Sequence, residues 1–210
     1  MAKSEPFETH TDRYEEWFEV NEATYRSEIE ALERFVAPEA IGLEIGVGSG
    51  RFAAPLEIDV GVDPAIEMLY RARERGIAVA RGVAEQLPIT ADSFEVALVV
   101  TTICFVDDVQ QTLEEAARVL KPDGRLVMGY IDRESEFGQY YLEIKDENPF
   151  YRDATFVATD DLIASLESLG YTDVEIVQTV FQPPGEHDEV EEPREGYGEG
   201  SFVALSARPP

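Results

Sequence analysis

The stretch from Leu43 to Phe52 reads Leu-Glu-Ile-Gly-Val-Gly-Ser-Gly-Arg-Phe and places glycines at 46, 48 and 50 directly after a short apolar run. Glycines at such a junction let the backbone turn tightly and approach a ligand closely. A helix that follows would add free N–H groups, which favour a carboxylate or a phosphate. The stretch therefore predicts a ligand-binding turn between a strand and a helix, although an ordinary tight turn would have the same pattern.

The sequence on either side of this turn alternates between short apolar runs and amphipathic segments, which indicates βαβ units and a mainly parallel sheet. Predicted strands are Ile41–Ile45, Ile58–Val62, Ile77–Ala80, Phe94–Val100, Arg125–Ile131, Val174–Phe181 and Ser201–Ala207. Predicted helices are Thr11–Phe35, Arg51–Leu56, Pro64–Arg75, Val106–Leu120 and Thr159–Leu169. Thr159 or Asp160 is the expected N-cap of the last helix, and Lys121–Gly124 is an expected turn.

The 210 residues are expected to form a single domain with an adequate core. Residues 1–37 are predicted to be a helical lid, and residues 41–131 the ligand-binding core. Residues 132–158 form a long irregular stretch rich in aromatic side chains, and such loops are often functional. Residues 183–200, which include His187, are rich in Glu, Gly and Pro and predict an exposed acidic loop.

An acidic residue follows the glycine turn at a distance typical of nucleotide-binding proteins. Asp63 lies 19 residues after Glu44, where an acid in a nucleotide-binding βαβ unit accepts hydrogen bonds from ribose. Its alternative role is to cap the helix that begins near Pro64. The dinucleotide pattern G-x-G-x-x-G/A fails from Gly46 but is met from Gly48, so the glycines alone leave a nicotinamide cofactor open.

The fuller pattern E-x-G-x-G-x-G from Glu44 to Gly50, followed by Asp63, resembles motifs I and II of the class I S-adenosylmethionine (SAM)-dependent methyltransferases. Segments 81–88, 93–97 and 118–126 resemble later signatures of their small-molecule (type 11) branch. The resemblance implies an α/β, Rossmann-like, doubly wound fold. Its mostly parallel seven-stranded sheet would have helices on both faces and an antiparallel last strand. It also implies SAM as the cofactor and a small-molecule methyl acceptor that the sequence does not identify.

The resemblance implies roles for the positions that match the motifs. The methionine end of SAM should lie against Glu44, Gly46 and Gly48, with Gly50 in the same turn, and Asp63 should hold the ribose. Thr101, just after the fourth strand, should lie near the methionine moiety.

Adenine should lie beside Ala84 and Glu85, with Ile66 offering an apolar face or packing in its own helix. Many relatives carry an aspartate where this chain has Val83. The adenine contact would therefore have to come from backbone groups or from Glu85.

The sequence identifies no catalytic residue and predicts no metal site. His10 and Tyr14 are candidate bases because, in similar enzymes, the N-terminal segment covers the pocket; His10 could equally be a solvated side chain. Cys104 is expected to be a buried packing residue. A set of aromatic side chains could line a substrate cavity or pack in the core: Tyr14, Trp17, Tyr130, Tyr140, Tyr141 and Tyr151.

Composition restricts the partners. The chain has 44 acidic and 17 basic residues, and a formal charge of -27 repels nucleic acid and anionic lipid. Such a surface suits either a high-salt cytoplasm or selection for solubility. One cysteine, no signal-peptide pattern and no long apolar run together predict a soluble cytoplasmic protein without a disulfide. One rival function is a SAM-binding sensor or partner subunit without transferase activity. The other is a nicotinamide-dependent oxidoreductase, which the later motifs disfavour because they resemble those of methyltransferases.

Overall fold

One sheet of eight strands organises the computed structural model, which describes residues 3–185 and 189–210. The strands are β1 Gly42–Ile45, β2 Val60–Asp63, β3 Ala78–Arg81, β4 Phe94–Val100, β5 Leu120–Ile131, β6 Thr172–Thr179, β7 Arg194–Glu195 and β8 Phe202–Arg208. Their order across the sheet is β3-β2-β1-β4-β5-β8-β6-β7. Strands β1 to β5 run parallel to one another, and β8 lies antiparallel between β5 and β6.

Helices cover both faces of this sheet. They are α1 Glu5–Thr9, α2 Thr11–Val20, α3 Glu22–Glu33, α4 Ile66–Glu74, α5 Val109–Val119, α6 Glu136–Ile144 and α7 Thr159–Ser168. Leu113 of α5 and Leu166 of α7 are buried in the core on one face. Leu32 of α3 and Leu69 of α4 are buried in the core on the other face. Helices α3, α4, α5 and α7 thus each bury one apolar stripe, as amphipathic helices on a sheet do.

The direction of winding reverses at β1. This strand pairs with β2 on one side and with β4 on the other, so the chain leaves its carboxyl end toward one half of the sheet and returns to build the second half. Loops on the two sides of such a switch point diverge and leave a crevice beyond the carboxyl ends of the strands. The fold therefore places the glycine turn, which follows β1, at the edge of a crevice.

The predicted Rossmann-like, doubly wound fold is confirmed, including the helices on both faces and the antiparallel last strand. The count of seven strands is wrong, because Arg194 and Glu195 add a two-residue edge strand that pairs with β6. This strand lies within the predicted acidic loop, where the sequence has no alternation of apolar residues that would predict a strand. His187 of the same loop lies outside the described residues.

The helices predicted at Pro64–Arg75 and Val106–Leu120 begin later than expected, at Ile66 and Val109. Three further predictions about helices also differ from the structure. Residues 51–57 form consecutive turns instead of a helix. Only Ala54 and Leu56 donate backbone hydrogen bonds four residues back there. The predicted helix over Thr11–Phe35 is broken at Asn21, whose side chain donates to the Trp17 carbonyl (2.8 Å). The N-cap of α7 is Ala158, because the Thr159 hydroxyl donates to Asp132 instead (3.0 Å).

Two predicted irregular segments are more regular than expected. The stretch 132–158 contains α6 and a 3-10 turn at Lys145–Glu147, and the Ser135 hydroxyl caps α6 by accepting from Gly138 N (3.0 Å). The expected turn Lys121–Gly124 is an irregularity inside β5, since Leu120 pairs with Phe94 and Arg125 with Val96. Within residues 3–185 and 189–210, no helix is long and apolar enough to cross a membrane.

Replacing Leu32 with alanine tests whether α3 is a permanent part of the core. The Leu32 side chain is fully buried against Gly129 of β5, so Leu32→Ala should cost about 2–5 kcal/mol of unfolding free energy. Val20 is 69% exposed, and Val20→Ala should stay within about 0.5 kcal/mol of wild type. Urea denaturation measures both. A Leu32→Ala cost as small as that of the control would mean that α3 does not belong to the folded core.

Candidate cofactor and acceptor site

A cavity of about 620 Å³ lies beyond the carboxyl ends of the parallel strands. Its floor includes Gly46 after β1, Asp63 at the end of β2 and Thr101 after β4. Its walls come from α2, α3 and the segment around Phe150. Ligand cavities of small-molecule enzymes commonly have about 300–1,000 Å³, so this one has room for a cofactor and a small second molecule.

The backbone conformation of the glycine turn, residues 46–50, brings part of the turn to the cavity surface. Gly46 and Gly48 both line the cavity with positive φ values (76° and 50°), a conformation that side chains disfavour. The amides of Gly46 and Val47 donate to the Val62 carbonyl (2.7 and 3.0 Å), which ties the turn to β2. Gly50 does not line the cavity; a side chain there would collide with Ile77. Two of the three glycines therefore face the cavity, and the third permits close packing.

Asp63 is 8% exposed and joins the glycine turn to the start of α4. One carboxylate oxygen accepts from Gly48 N (2.9 Å) and the other from Ala65 N (2.8 Å). Burial raises the pKa of Asp63 to about 6, against the lowering effect of these two hydrogen bonds. The free N–H groups of α4 are capped by a different residue, because Glu8 of α1 accepts from Ile66 N and Glu67 N (2.7 and 3.1 Å). The Asp63 carboxylate is thus free to use its remaining acceptor positions in the cavity.

Glu44 is buried in β1 directly below the glycine turn. One of its carboxylate oxygens, Oε2, has no hydrogen-bond partner within the described chain. Burial raises the pKa of this carboxyl group well above its ordinary value, and the nearby Asp63 raises it further. The side chain does not belong to the cavity wall. Its position outside the cavity wall gives no direct support to the expected contact with the methionine end of the ligand.

The adenine-side residues are only partly brought together. Ala84 and Glu85 line the cavity, as does Val83. The Glu85 carboxylate accepts from Asp107 N (2.7 Å) and so connects this segment to the loop before α5. Ile66 is 40% exposed at the start of α4 and lies outside the cavity wall. Its place in the structure therefore gives no support to the expected contact with the adenine ring.

The two candidate bases occupy different places. Tyr14 lines the cavity, and a Cβ built on Gly48 would lie 3.4 Å from its hydroxyl oxygen. Burial raises the pKa of Tyr14, and the carboxylates of Glu44 and Asp63 raise it further, which favours a protonated, hydrogen-bond-donating phenol over a base. His10 is exposed between α1 and α2 and does not line the cavity. Neither position favours a role in removing a proton from an acceptor.

Cys104 lies apart from the main cavity lining, in a small cluster with Ala154 and Phe156. Burial raises the pKa of its thiol to about 12, and the thiol donates to the Thr101 carbonyl (3.3 Å). A thiol in this state is a poor nucleophile, since the thiolate is the reactive form. The geometry agrees with the expected packing role.

Four members of the predicted aromatic set line the cavity, namely Tyr14, Trp17, Tyr141 and Tyr151. Tyr130 is instead a core residue whose hydroxyl donates to Thr159 (3.0 Å), and Tyr140 is 52% exposed outside the cavity. Glu28 and Phe150 line the same space. Sequence reasoning did not single out Glu28, and it included Phe150 only as part of the aromatic-rich stretch 132–158. Phe150 lies beyond α6 in a stretch without periodicity, and Glu28 is one glutamate among several on α3. Spacing along α3 could place Glu28 on a helix face but not beside a cavity.

Comparison with known proteins agrees with this geometry. A family model described as a methyltransferase domain matches residues 43–128. An uncharacterized protein of Methanocaldococcus jannaschii is 44% identical over 201 residues, which cover 96% of this chain and 97% of the relative. A crystal structure of a SAM-dependent methyltransferase from Thermotoga maritima, described as a possible histamine N-methyltransferase, is 45% identical. It superposes with a TM-score of 0.94 over 98% of this chain and 99% of that one.

A more distant structure has the same fold. Magnesium protoporphyrin IX methyltransferase from Synechocystis, solved with bound S-adenosylhomocysteine (SAH), is 12% identical and has a TM-score of 0.69 over 98% of this chain and 97% of its own. Together with the nearer relatives, the cavity at the switch point defines the class of protein. This chain belongs to the class I SAM-dependent methyltransferases, in the type 11 branch.

The residues at the site fit SAM. The backbone of Gly46 and Gly48 in the cavity floor suits the charged methionine end, and the Asp63 carboxylate suits a pair of hydroxyl donors. Thr101 holds a positive φ of 48° where β4 ends, and its amide donates to the Gly129 carbonyl (2.6 Å). Its side chain thus belongs to a fixed part of the cavity floor.

Substitution of Asp63 tests its assignment to the ribose. If the carboxylate accepts hydroxyl hydrogen bonds, Asp63→Ala should weaken SAH binding by about 1.5–3 kcal/mol, the scale of hydrogen bonds to a charged group. In wild type the affinity should also fall as the pH drops through about 6, because protonation removes the charged acceptor. Calorimetry measures both effects. Glu74→Ala, an exposed change on α4, is the matched control, and an Asp63→Ala affinity equal to that of the control would contradict the assignment.

Removal of residues 1–9 tests whether the N-terminal part of the predicted lid, residues 1–37, covers the ligand. Helix α1 buries no residue completely, but Phe7 packs edge-on against Phe105 (5.2 Å) and Glu8 caps α4, so α1 lies along the cavity. The deletion should change the unfolding free energy by about 1 kcal/mol or less and should weaken SAH binding, because it opens the cavity to water. Unchanged SAH affinity would show that α1 does not cover the ligand. Global unfolding would show that α1 is structural.

Proposed function

We propose that this protein transfers the methyl group of SAM to a small molecule bound in the same cavity. The observation that carries the proposal is the continuity of the cavity from the glycine turn and Asp63 to a second part between α3, α6 and the ends of β5 and β8. One part suits SAM, and the other offers an adjoining space for an acceptor. Proximity of two bound reactants can supply much of the rate of a displacement.

The roles of the protein's own residues follow from their positions. When bound, SAM supplies an activated methyl group on a sulfonium sulfur. Asp63 and the backbone of the glycine turn would hold the ends of this molecule, and the aromatic rings of Tyr14 and Trp17 would exclude water. Aromatic faces also attract cations, which suits a sulfonium.

A small acceptor is favoured by the cover over the cavity. Helices α1 and α2 and the segment around Phe150 lie across it, and Phe7, Tyr14 and Phe150 form mutual ring contacts at 5.3–6.0 Å. The net charge of -27 argues against nucleic acid or an anionic membrane as the partner. The description of the Thermotoga protein as a possible histamine N-methyltransferase supports including amines among the acceptors to test.

The second candidate is a SAM-binding sensor or partner subunit without transfer activity. Membership of the SAM-dependent methyltransferase family supports SAM binding by this chain, but binding and transfer are separable properties of a site. An enzyme should convert SAM to SAH only in the presence of an acceptor, whereas a sensor should bind SAM without turnover.

Calorimetry and turnover together test the proposal. SAM and SAH should bind and NAD should bind more weakly or not at all, and methyl-labelled SAM should label at least one member of a panel of small amines, phenols and thiols. Gly48→Ala should weaken SAM binding, because it adds a methyl group in the cavity beside Tyr14. Gly76→Ala is the matched control, since Gly76 also has a positive φ (90°) but no atom of the described residues lies within 4 Å of its Cβ position.

Tighter binding of NAD than of SAM would overturn the cofactor assignment. Tight SAM binding without transfer to any acceptor class would favour the sensor.

A further inference from the structure

One acidic side chain in the acceptor part of the cavity has no partner among the described residues. Glu28, on α3, lines the cavity and is 7% exposed. Among the described residues, no side chain or backbone group donates a hydrogen bond to its carboxyl group and no cation pairs with it. Burying a carboxyl group without a partner is unfavourable, so its retention inside an aromatic cavity points to a ligand that supplies the missing donor.

Phenol and aromatic groups surround this carboxyl group. Burial raises the pKa of Tyr14, Tyr141 and Tyr151, and the charge of Glu28 contributes to each rise, which places all three hydroxyls within its electrostatic reach. Tyr25, one turn earlier on α3, is affected in the same direction. These phenols stay protonated near neutral pH.

The charged groups nearby are already engaged. Arg51 and Arg75, which act on Tyr25, are both paired with Glu15 (2.6 Å each). Glu44 and Asp63, which act on Tyr14 together with Glu28, lie on the cofactor side and add negative charge. Lys3 and Arg13 also line the cavity, but neither forms an ion pair with Glu28. Burial is the only influence on the pKa of Glu28, so no described cation compensates its charge.

We propose that Glu28 binds the methyl acceptor and that this acceptor is an amine, whose cationic nitrogen the carboxylate holds next to the cofactor part of the cavity. This inference rests on the proposed function. A carboxylate within an aromatic wall is complementary to an ammonium group, because the carboxylate supplies charge-assisted hydrogen bonds and the ring faces attract the cation. The net charge of -27 also raises the local concentration of cations at the protein.

Glu28 can also take the proton that blocks the reaction. An ammonium nitrogen has no lone pair, so it must lose one proton before it can attack. The Glu28 carboxylate accepts that proton, and the neutral nitrogen then forms the new N–C bond with the methyl carbon as the C–S bond breaks and its electron pair remains on sulfur. The product is a methylated ammonium ion, and the proton on Glu28 passes to solvent. Burial raises the pKa of Glu28 to about 8, closer to that of an amine, which makes this transfer less costly.

The experiment compares two amines with their neutral counterparts. Calorimetry on the full chain saturated with SAH would use 2-phenylethylamine and tryptamine, with 2-phenylethanol and tryptophol as the matched neutral ligands. Wild type should bind at least one amine more tightly than its alcohol. At pH 7 that binding should release about one proton, seen by repeating the titration in buffers of different ionisation enthalpy, because Glu28 is protonated in the free protein and the amine is protonated in solution.

Glu28→Gln should weaken amine binding by about 10- to 100-fold, as expected for loss of a charged hydrogen-bond partner, and should abolish the proton release. It should leave the affinity for SAH and for the alcohol unchanged. Glu33→Gln is the matched control, since Glu33 is an exposed residue of the same helix and the charge change is identical. This control should behave as wild type.

Two outcomes would overturn the proposal. One is that neither amine binds wild type more tightly than its alcohol, and the other is that Glu28→Gln retains the amine affinity and the proton release. In either case, intact SAH binding would leave the proposed function standing and remove only the assignment of Glu28. Absence of SAH binding in wild type would instead overturn the proposed function and this inference with it.

Discussion

The reversal of winding at β1 is the constraint on which the rest of the structure depends. Because β1 pairs with β2 and β4 on opposite sides, the loops after these strands diverge and cannot fill the space beyond their carboxyl ends. Gly46 and Gly48 have no side chains, so a ligand can approach the backbone of the turn after β1 closely. The Asp63 carboxylate accepts a hydrogen bond from Gly48 N and thereby fixes the turn to β2. Residues that are distant in sequence therefore lie around one cavity, because each is at the carboxyl end of a strand in the same sheet.

The N-terminal helices complete the cavity by two different kinds of contact. Helix α3 belongs to the core, since Leu32 and Ile29 pack on the sheet. Helix α2 is attached by both apolar and polar contacts, because Phe18 is buried in the core and Glu15 pairs with both Arg51 and Arg75. Helix α1 buries no residue completely and contacts the rest of the protein through Phe7 and the Glu8 cap. The strength of attachment therefore decreases toward the N-terminus, which fits a cover that can open over a fixed floor.

The sequence predicts the parts of this molecule that are set by local pattern. Short apolar runs located β1 to β4 within two residues of each boundary, and the glycine spacing located the turn. What it missed depends on contacts between distant segments. β7 exists because Arg194 and Glu195 meet the edge of β6, and Thr159 fails to cap α7 because Asp132 accepts its hydroxyl. Glu8 caps a helix that begins 58 residues later, a contact for which one sequence gives no signal.

The same limit applies to Glu28, and its energetics explain why the carboxyl group matters. A carboxyl group whose pKa is raised in the folded state favours folding in its protonated form, so its contribution to stability declines as the pH rises from 4.5 to about 8. Asp63 behaves in the same way over a lower range, from 3.8 to about 6. Near neutral pH the ligand-free protein therefore carries a cost for these buried groups, which donors or cations in the cavity would offset. A site that is unfavourable when empty binds best the ligands that bring positive charge and hydrogen-bond donors, and both SAM and an amine acceptor have this character.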